Sequence, residues 1–245
     1  SPLARAAVEE WRLWGRVVIE GWPDQPPPDT AATPARFARL TGYWSSMPGG
    51  WRIAQQHENL RSGMVALEAR LAAEDGEESE ARPMPQARID DLAYYANPAW
   101  SAAFISAVAR LAGLPEGDLP SSSRHARYID AILGRAMADP AHAPFTPHTP
   151  EDQPPLPGDL LCADRAWVRL SHWTERFAER GRPRPMHCDV VVRTMPGTIE
   201  AIGGNVQGTV ALRRFPADRT GRVLPAPYDR PGFILLLAAR RPPSN

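Results

Sequence analysis

The hydrophobic period of this chain changes once, at about Pro157, and that change constrains the fold more than any other feature. Before it, apolar residues recur at helical spacing; after it, short apolar runs are separated by turn signals at strand spacing. The helical segments are "AAVEEWRLWGRVVIEGW", "PARFARLTGYWSSM", "GGWRIAQQHENLRSGMVALEARLAAEDG", the stretch from about Ser101 to Ala112, and "SSSRHARYIDAILGRAMA", to which a serine supplies the N-cap. The strand-like pieces are "GDLLCADR", "WVRLSHW", two strands around the turn "MPGT" in "HCDVVVRTMPGTIEAIGGNV", then "GTVALRRF" and "GFILLLAARR". Helices first and an antiparallel meander of about five strands after them make an α+β chain, not an alternating α/β one.

Proline marks the connections. The 28 prolines cluster in "GWPDQPPPDTAATP", "PEGDLP", "DPAHAPFTPHTPEDQPPLPG" and "RRPPSN", where the missing N–H and fixed φ suit loops and not element interiors. The acidic run "EDGEESE" with "ARPMPQ" reads as a solvated linker. These breaks divide the chain into an N-terminal helical portion with its linker over residues 1–90 and a core over 91–245, together expected to form one domain at this length of 245 residues.

Charge excludes some partners. Formal net charge is zero, which argues against nucleic acid or an anionic membrane surface. All 28 basic residues are arginine, so no lysine-based mechanism is available. No apolar run approaches the ~20 residues of a membrane span; "FILLLAA" is far too short. No signal peptide is visible at "SPLARAAVEE", and a trimmed native start is compatible with that.

Ser101 opens a buried helix, where the macrodipole and free N–H groups favour a nucleophile's anion or a developing oxyanion. Taken alone it reads as an N-cap. "PGDLLC" is a turn feeding a strand, "MHCDVVVRTMPG" puts His187 at the start of another, and "IEAIGGNV" puts Asn205 after a glycine pair at the end of the next. In this order the pieces resemble the papain-like cell-wall hydrolases, the NlpC-type peptidases and CHAP amidases, whose nucleophile helix reads C-x-x-F-V-S-x-V-x-x-x-A-G. "SAAFISAVARLAGL" matches that pattern at Phe104, Ser106, Val108, Ala112 and Gly113, and departs from it in carrying serine at 101. A hydroxyl must lose its proton during attack, whereas a thiol ionises beside a histidine.

More closely, the run from about Trp51 to Arg240 resembles a bacterial family known as a domain of unknown function, DUF2272. It shares the motifs at Trp100–Ser106, Ser122–Ile129, Pro157–Cys162, His187–Val192 and Ile202–Val206. The resemblance implies a papain-like core and an exported, periplasmic or secreted hydrolase that cleaves peptidoglycan amide bonds without a cofactor. Ser101 would be its nucleophile, His187 its base and Asn205 the residue orienting that base; His125, Tyr95 and Asp189 would contact a muropeptide. Two other readings accompany it: a non-catalytic module binding cell-wall fragments or a protein partner, and an antibacterial effector whose partner would be an immunity protein.

If the family's meander applies, Cys162 and Cys188 lie on neighbouring strands. A cross-strand disulfide is the first reading, free buried thiols the second. Zinc held among Cys162, Asp164, His187 and Asp189 is a distant third, because the spacing matches no familiar closed site, so no metal is expected. His57, His142, His148 and His172 are expected to be surface or structural.

Overall fold

A computed structural model of the chain describes residues 1–22, 29–74 and 90–241. The acidic linker, from residue 75, and the proline runs at 23–28 and 242–245 lie outside the described residues. Among the described residues five α-helices come before the main body of the sheet: α1 (Pro2–Leu13), α2 (Pro34–Ser45), α3 (Trp51–Glu74), α4 (Ser101–Leu111) and α5 (His125–Ala138). The strands are β1 (Val17–Glu20), β2 (Phe145–His148), β3 (Leu160–Asp164), β4 (Met186–Met195), β5 (Thr198–Val206), β6 (Thr209–Pro216) and β7 (Phe233–Ala239). They form a single seven-stranded sheet in the order β1-β6-β5-β4-β3-β7-β2, so the architecture is α+β with two more strands than the sequence suggests.

Both additional strands have physical explanations. The helical pattern of the first segment runs on through "VVIE", but the chain leaves α1 at Gly15 and Arg16, both at positive φ. The β-branched run that follows then pairs parallel with β6, Val17 opposite Ala211. The N-terminal portion is therefore not wholly helical. β2 contains Pro147, which is tolerated because β2 is an edge strand paired only with β7. Conversely, "WVRLSHW" is not a strand. The Asp164 carboxylate accepts the N–H groups of Ala166 at 3.0 Å and Leu170 at 2.7 Å, which bends the chain into a loop with Trp167 fully exposed.

Alternation along the strands sends neighbouring residues into two cores. Cys162, Cys188, Val190, Ile202, Val210 and Leu235 pack under the helices, in one cluster with Phe104, Ile105 and Val108 of α4. Leu161, Ala163, Val191, Ala201, Phe215 and Leu236 form a second cluster on the opposite face. Cys162 and Cys188 face each other in register on β3 and β4 and are joined by a disulfide.

The N-terminal helices fix the entry to α4. Trp14 stacks on Trp100 with ring centroids 5.2 Å apart and donates its Nε1–H to Tyr43 Oη at 2.7 Å. Tyr43 in turn donates to the buried Glu10 carboxylate at 2.5 Å, which also takes the Arg39 guanidinium. Trp100 immediately precedes Ser101, so a hydrogen-bonded aromatic stack spanning α1 and α2 sets where α4 begins.

Candidate active site

Three element starts converge in one place. Ser101 is the first residue of α4, His125 the first of α5, and His187 the second of β4. As a cap, Ser101 would bond the N–H groups of its own first turn. Trp100 holds the cap position instead, and Ser101 Oγ is hydrogen-bonded to His125 Nε2 at 2.6 Å. Nor does a serine cap α5: Arg124 occupies that position, while the Ser122 hydroxyl bonds Arg124's own backbone N–H and carbonyl at 3.0 Å.

One helical turn on, Tyr128 Oη is hydrogen-bonded to His125 Nδ1 at 2.5 Å. Burial first, and then the charge of Asp189, holds the Tyr128 phenol well above its ordinary pKa, so it stays protonated. His125 moves the other way. Burial is the largest cause, the neighbouring His187 adds to it, Asp189 opposes it, and Arg165 adds to it again, leaving the imidazole's pKa well below the usual value. His125 is thus neutral at physiological pH, with one ring nitrogen free of a proton to accept one.

His187 lies behind it, its ring centroid 5.5 Å from that of His125. His187 Nε2 meets Asp189 Oδ1 at 3.3 Å, and Arg213 Nη1 donates to Asp189 Oδ2 at 3.0 Å. Burial alone would raise the Asp189 pKa, but the Arg213 charge, with help from His187, outweighs it and holds the carboxyl below its ordinary value. A carboxylate on Nε2 fixes the His187 tautomer with Nδ1 bare, and Nδ1 is buried without a hydrogen-bond partner among the described residues.

The sequence-based assignments change accordingly. Ser101 is bonded to His125 and not to His187, so the imidazole in proton-transfer reach of the hydroxyl is His125. Asn205 does not orient His187; it donates to the Ala96 carbonyl at 3.2 Å and pins the segment leading into α4. Asp189 takes the orienting place, and it is fully buried and so cannot touch a substrate. The signal was present in "HCD", since residues two apart on a strand share a face. Tyr95 packs on Phe37, His57 and Tyr94, with centroids 5.0 to 5.5 Å away, and belongs to the helical core. The four residues weighed as zinc ligands do not converge: the two sulfurs bond each other, and Asp164 is taken up by its own loop and by Arg184. Among the described residues no group of three or more histidine, cysteine or acidic side chains is arranged to hold a metal.

The glycine pair of "IGGNV" explains how these parts fit. A Cβ on Gly203 would lie 2.1 Å from Asp189 Oδ1 and 2.9 Å from His187 Nε2, and one on Gly204 would lie 2.4 Å from Phe104 Cβ. β5 therefore has the Asp189–His187 pair against one face and α4 against the other. His187 opens onto a cleft of about 640 Å³, lined among the described residues by Trp22, Asn97, Arg165, Asn205, Arg213 and Phe233, among others. Ser101 and His125 lie just beneath, 7% and 4% exposed.

The neutral state of His125 has a consequence for stability. The unfolded chain protonates this residue near pH 6.5, whereas the folded chain resists protonation until a lower pH. Below about pH 6.5 the unfolded state therefore binds more protons, and stability falls as pH falls. Urea unfolding at about pH 7 and pH 5 is expected to show this loss, and His125→Gln is expected to reduce its slope. His57, whose pKa burial also lowers, keeps the remainder. An unchanged slope in the variant would contradict the buried, neutral assignment.

A family model described as an uncharacterized protein conserved in bacteria (DUF2272) matches residues 38–230. No curated protein and no solved structure matches the chain.

Proposed function

We propose that the chain, which belongs to the DUF2272 family of bacterial proteins, is a papain-like hydrolase acting on peptidoglycan amide bonds through Ser101. The observation that carries this reading is the 2.6 Å bond between Ser101 Oγ and His125 Nε2 at the start of a buried helix, beside a cleft. In the reaction Ser101 Oγ attacks the carbonyl carbon while its proton passes to the bare Nε2 of His125. The tautomer that does this carries its proton on Nδ1 and donates it to Tyr128 Oη. The N–H groups of the first turn of α4, which have no intrahelical carbonyl partner, take the oxyanion. His125 then protonates the leaving amine, and water releases the acyl group. In that step the water gives its proton to Nε2 of His125, which returns it to Ser101 Oγ as the acyl–oxygen bond breaks. His187, held by Asp189, packs behind His125 on the cleft side.

The cell-wall substrate rests on the motif resemblance to the NlpC-type and CHAP enzymes. Export to the periplasm or beyond is supported by the buried cystine, which persists in oxidising compartments. Among the described residues no helix is long and apolar enough to cross a membrane.

A second reading, a non-catalytic module binding cell-wall fragments, is favoured by one observation: the Ser101 hydroxyl is nearly covered. Incubation of the purified protein with sacculi, followed by mass spectrometry of the soluble fraction, separates the two. Wild type is expected to release fragments, and Ser101→Ala and His125→Ala are not. If all three are silent and wild type still sediments with sacculi, the binding reading holds.

A further inference from the structure

The described lining of the cleft holds three arginines, Arg165, Arg213 and Arg230, together with His187, and no carboxylate. Two of the arginines have partners. Arg213 is committed to Asp189 and to the Gly21 carbonyl, the latter at 3.2 Å, and Arg230 Nε lies 3.4 Å from Asp229. Arg165 differs. It follows directly on β3, and its backbone is fixed by an N–H bond to the Pro185 carbonyl at 2.8 Å. Its exposed side chain makes no hydrogen bond or ion pair with any described residue. Its charge nevertheless reaches the catalytic imidazole, being one of the causes that keep His125 neutral. The N-terminus of α4 adds further positive potential at the same place, and Trp22 and Phe233 supply apolar wall. An uncompensated guanidinium on a cleft wall free of acids is a seat for a carboxylate, which it grips by paired N–H bonds.

We infer that the substrate is a peptide carrying a free carboxylate close to the scissile amide, and that Arg165 receives that carboxylate. This rests on the hydrolase reading for what is cleaved, but binding can be measured without cleavage. The carboxylate could come from an acidic side chain or from a chain end, and the probes separate these sources. The test uses Ser101→Ala protein, titrated calorimetrically with the acetylated tripeptide Ala-Glu-Ala in four forms: both carboxylates free, the side chain amidated, the C-terminus amidated, and both amidated.

The form or forms keeping the recognised carboxylate are expected to bind about 10- to 100-fold more tightly than the doubly amidated one, the range of a charge-assisted hydrogen-bonded pair. Adding Arg165→Gln is expected to erase that difference, Arg165→Lys to retain part of it, and added salt to shrink it. Equal affinity of all four forms, no binding by any of them, or an undiminished preference in Arg165→Gln would each overturn the inference. Sacculi left intact while the tripeptide ranking holds would remove the hydrolase reading and leave the carboxylate seat. Fragments released from sacculi by a protein that ignores amidation would do the reverse.

Discussion

Replacing Asp189 with alanine is expected to lower the unfolding free energy by about 3–5 kcal/mol, the range for breaking one side of a buried ion pair, and, on the proposed hydrolase reading, to abolish release of fragments from sacculi. Asp189 is fully buried, and its two oxygens are spent on His187 Nε2 and Arg213 Nη1. Without it the Arg213 charge remains in a site only 8% exposed, and the His187 tautomer loses its anchor. Denaturant midpoints measure the loss. Removing the other partner as well, in Asp189→Ala with Arg213→Met, is expected to recover much of it, because the cost lies in the stranded charge and not in the absent attraction. The pH dependence has a definite sign. The folded Asp189 pKa lies below its ordinary value of 3.8, so its contribution is full above that pH and disappears as pH falls through the folded value. A single-variant loss within about 1 kcal/mol, the scale of an exposed pair, would show that the pair is solvated.

Gly204→Ala is expected to act on the other face of the same strand. Its Cβ would lie 2.4 Å from Phe104 Cβ and 2.5 Å from Phe104 Cγ, atoms next to the α4 backbone that cannot swing aside. The helix must move, and Ser101 moves with it. Overpacking of this kind costs about 1–3 kcal/mol, occasionally more, and a displacement of ~1 Å in a catalytic group costs on the order of 100-fold in rate. Gly63→Ala is the contrasting substitution: it lies on the exposed side of α3 with nothing within 4 Å of its Cβ, and a gain of about 0.5–1 kcal/mol is expected. Thermal melts and turnover on sacculi check both. If Gly204→Ala retained the full wild-type rate, the close approach of β5 to α4 would have no bearing on the nucleophilic role proposed for Ser101.

How much of this was legible in the residues depends on the distance over which each feature is decided. The change of period predicts β3 to β7 because each carries its own apolar run and turn signals. β1 escapes because an amphipathic pattern continues unbroken across Gly15, and only the distant β6 makes a strand of it. β2 escapes because Pro147 argues against a strand until its edge position is known. In the site, Ser101 and His187 stand out by their places at element starts. The pairing of Ser101 with His125 depends on how α4 and α5 pack, which no local motif records. The motif at 202–206 draws attention to its asparagine, whereas its glycines carry the geometry: each makes room for a neighbour that is contributed by another element.

The parallel pairing of β1 with β6 bears on how the molecule is made. A ribosome delivers Val17 long before its partner Ala211. Until then the Val-Val-Ile segment and the face of α1 that packs on α4 have no complete sheet to rest on. Contacts so far apart in sequence are slow to form, and a nascent chain that must wait for them exposes apolar strand in the meantime. Docking of the segment from α1 to β1 is therefore expected to be among the last events of folding, so the aromatic stack that seats Ser101 is completed only once β6 is available.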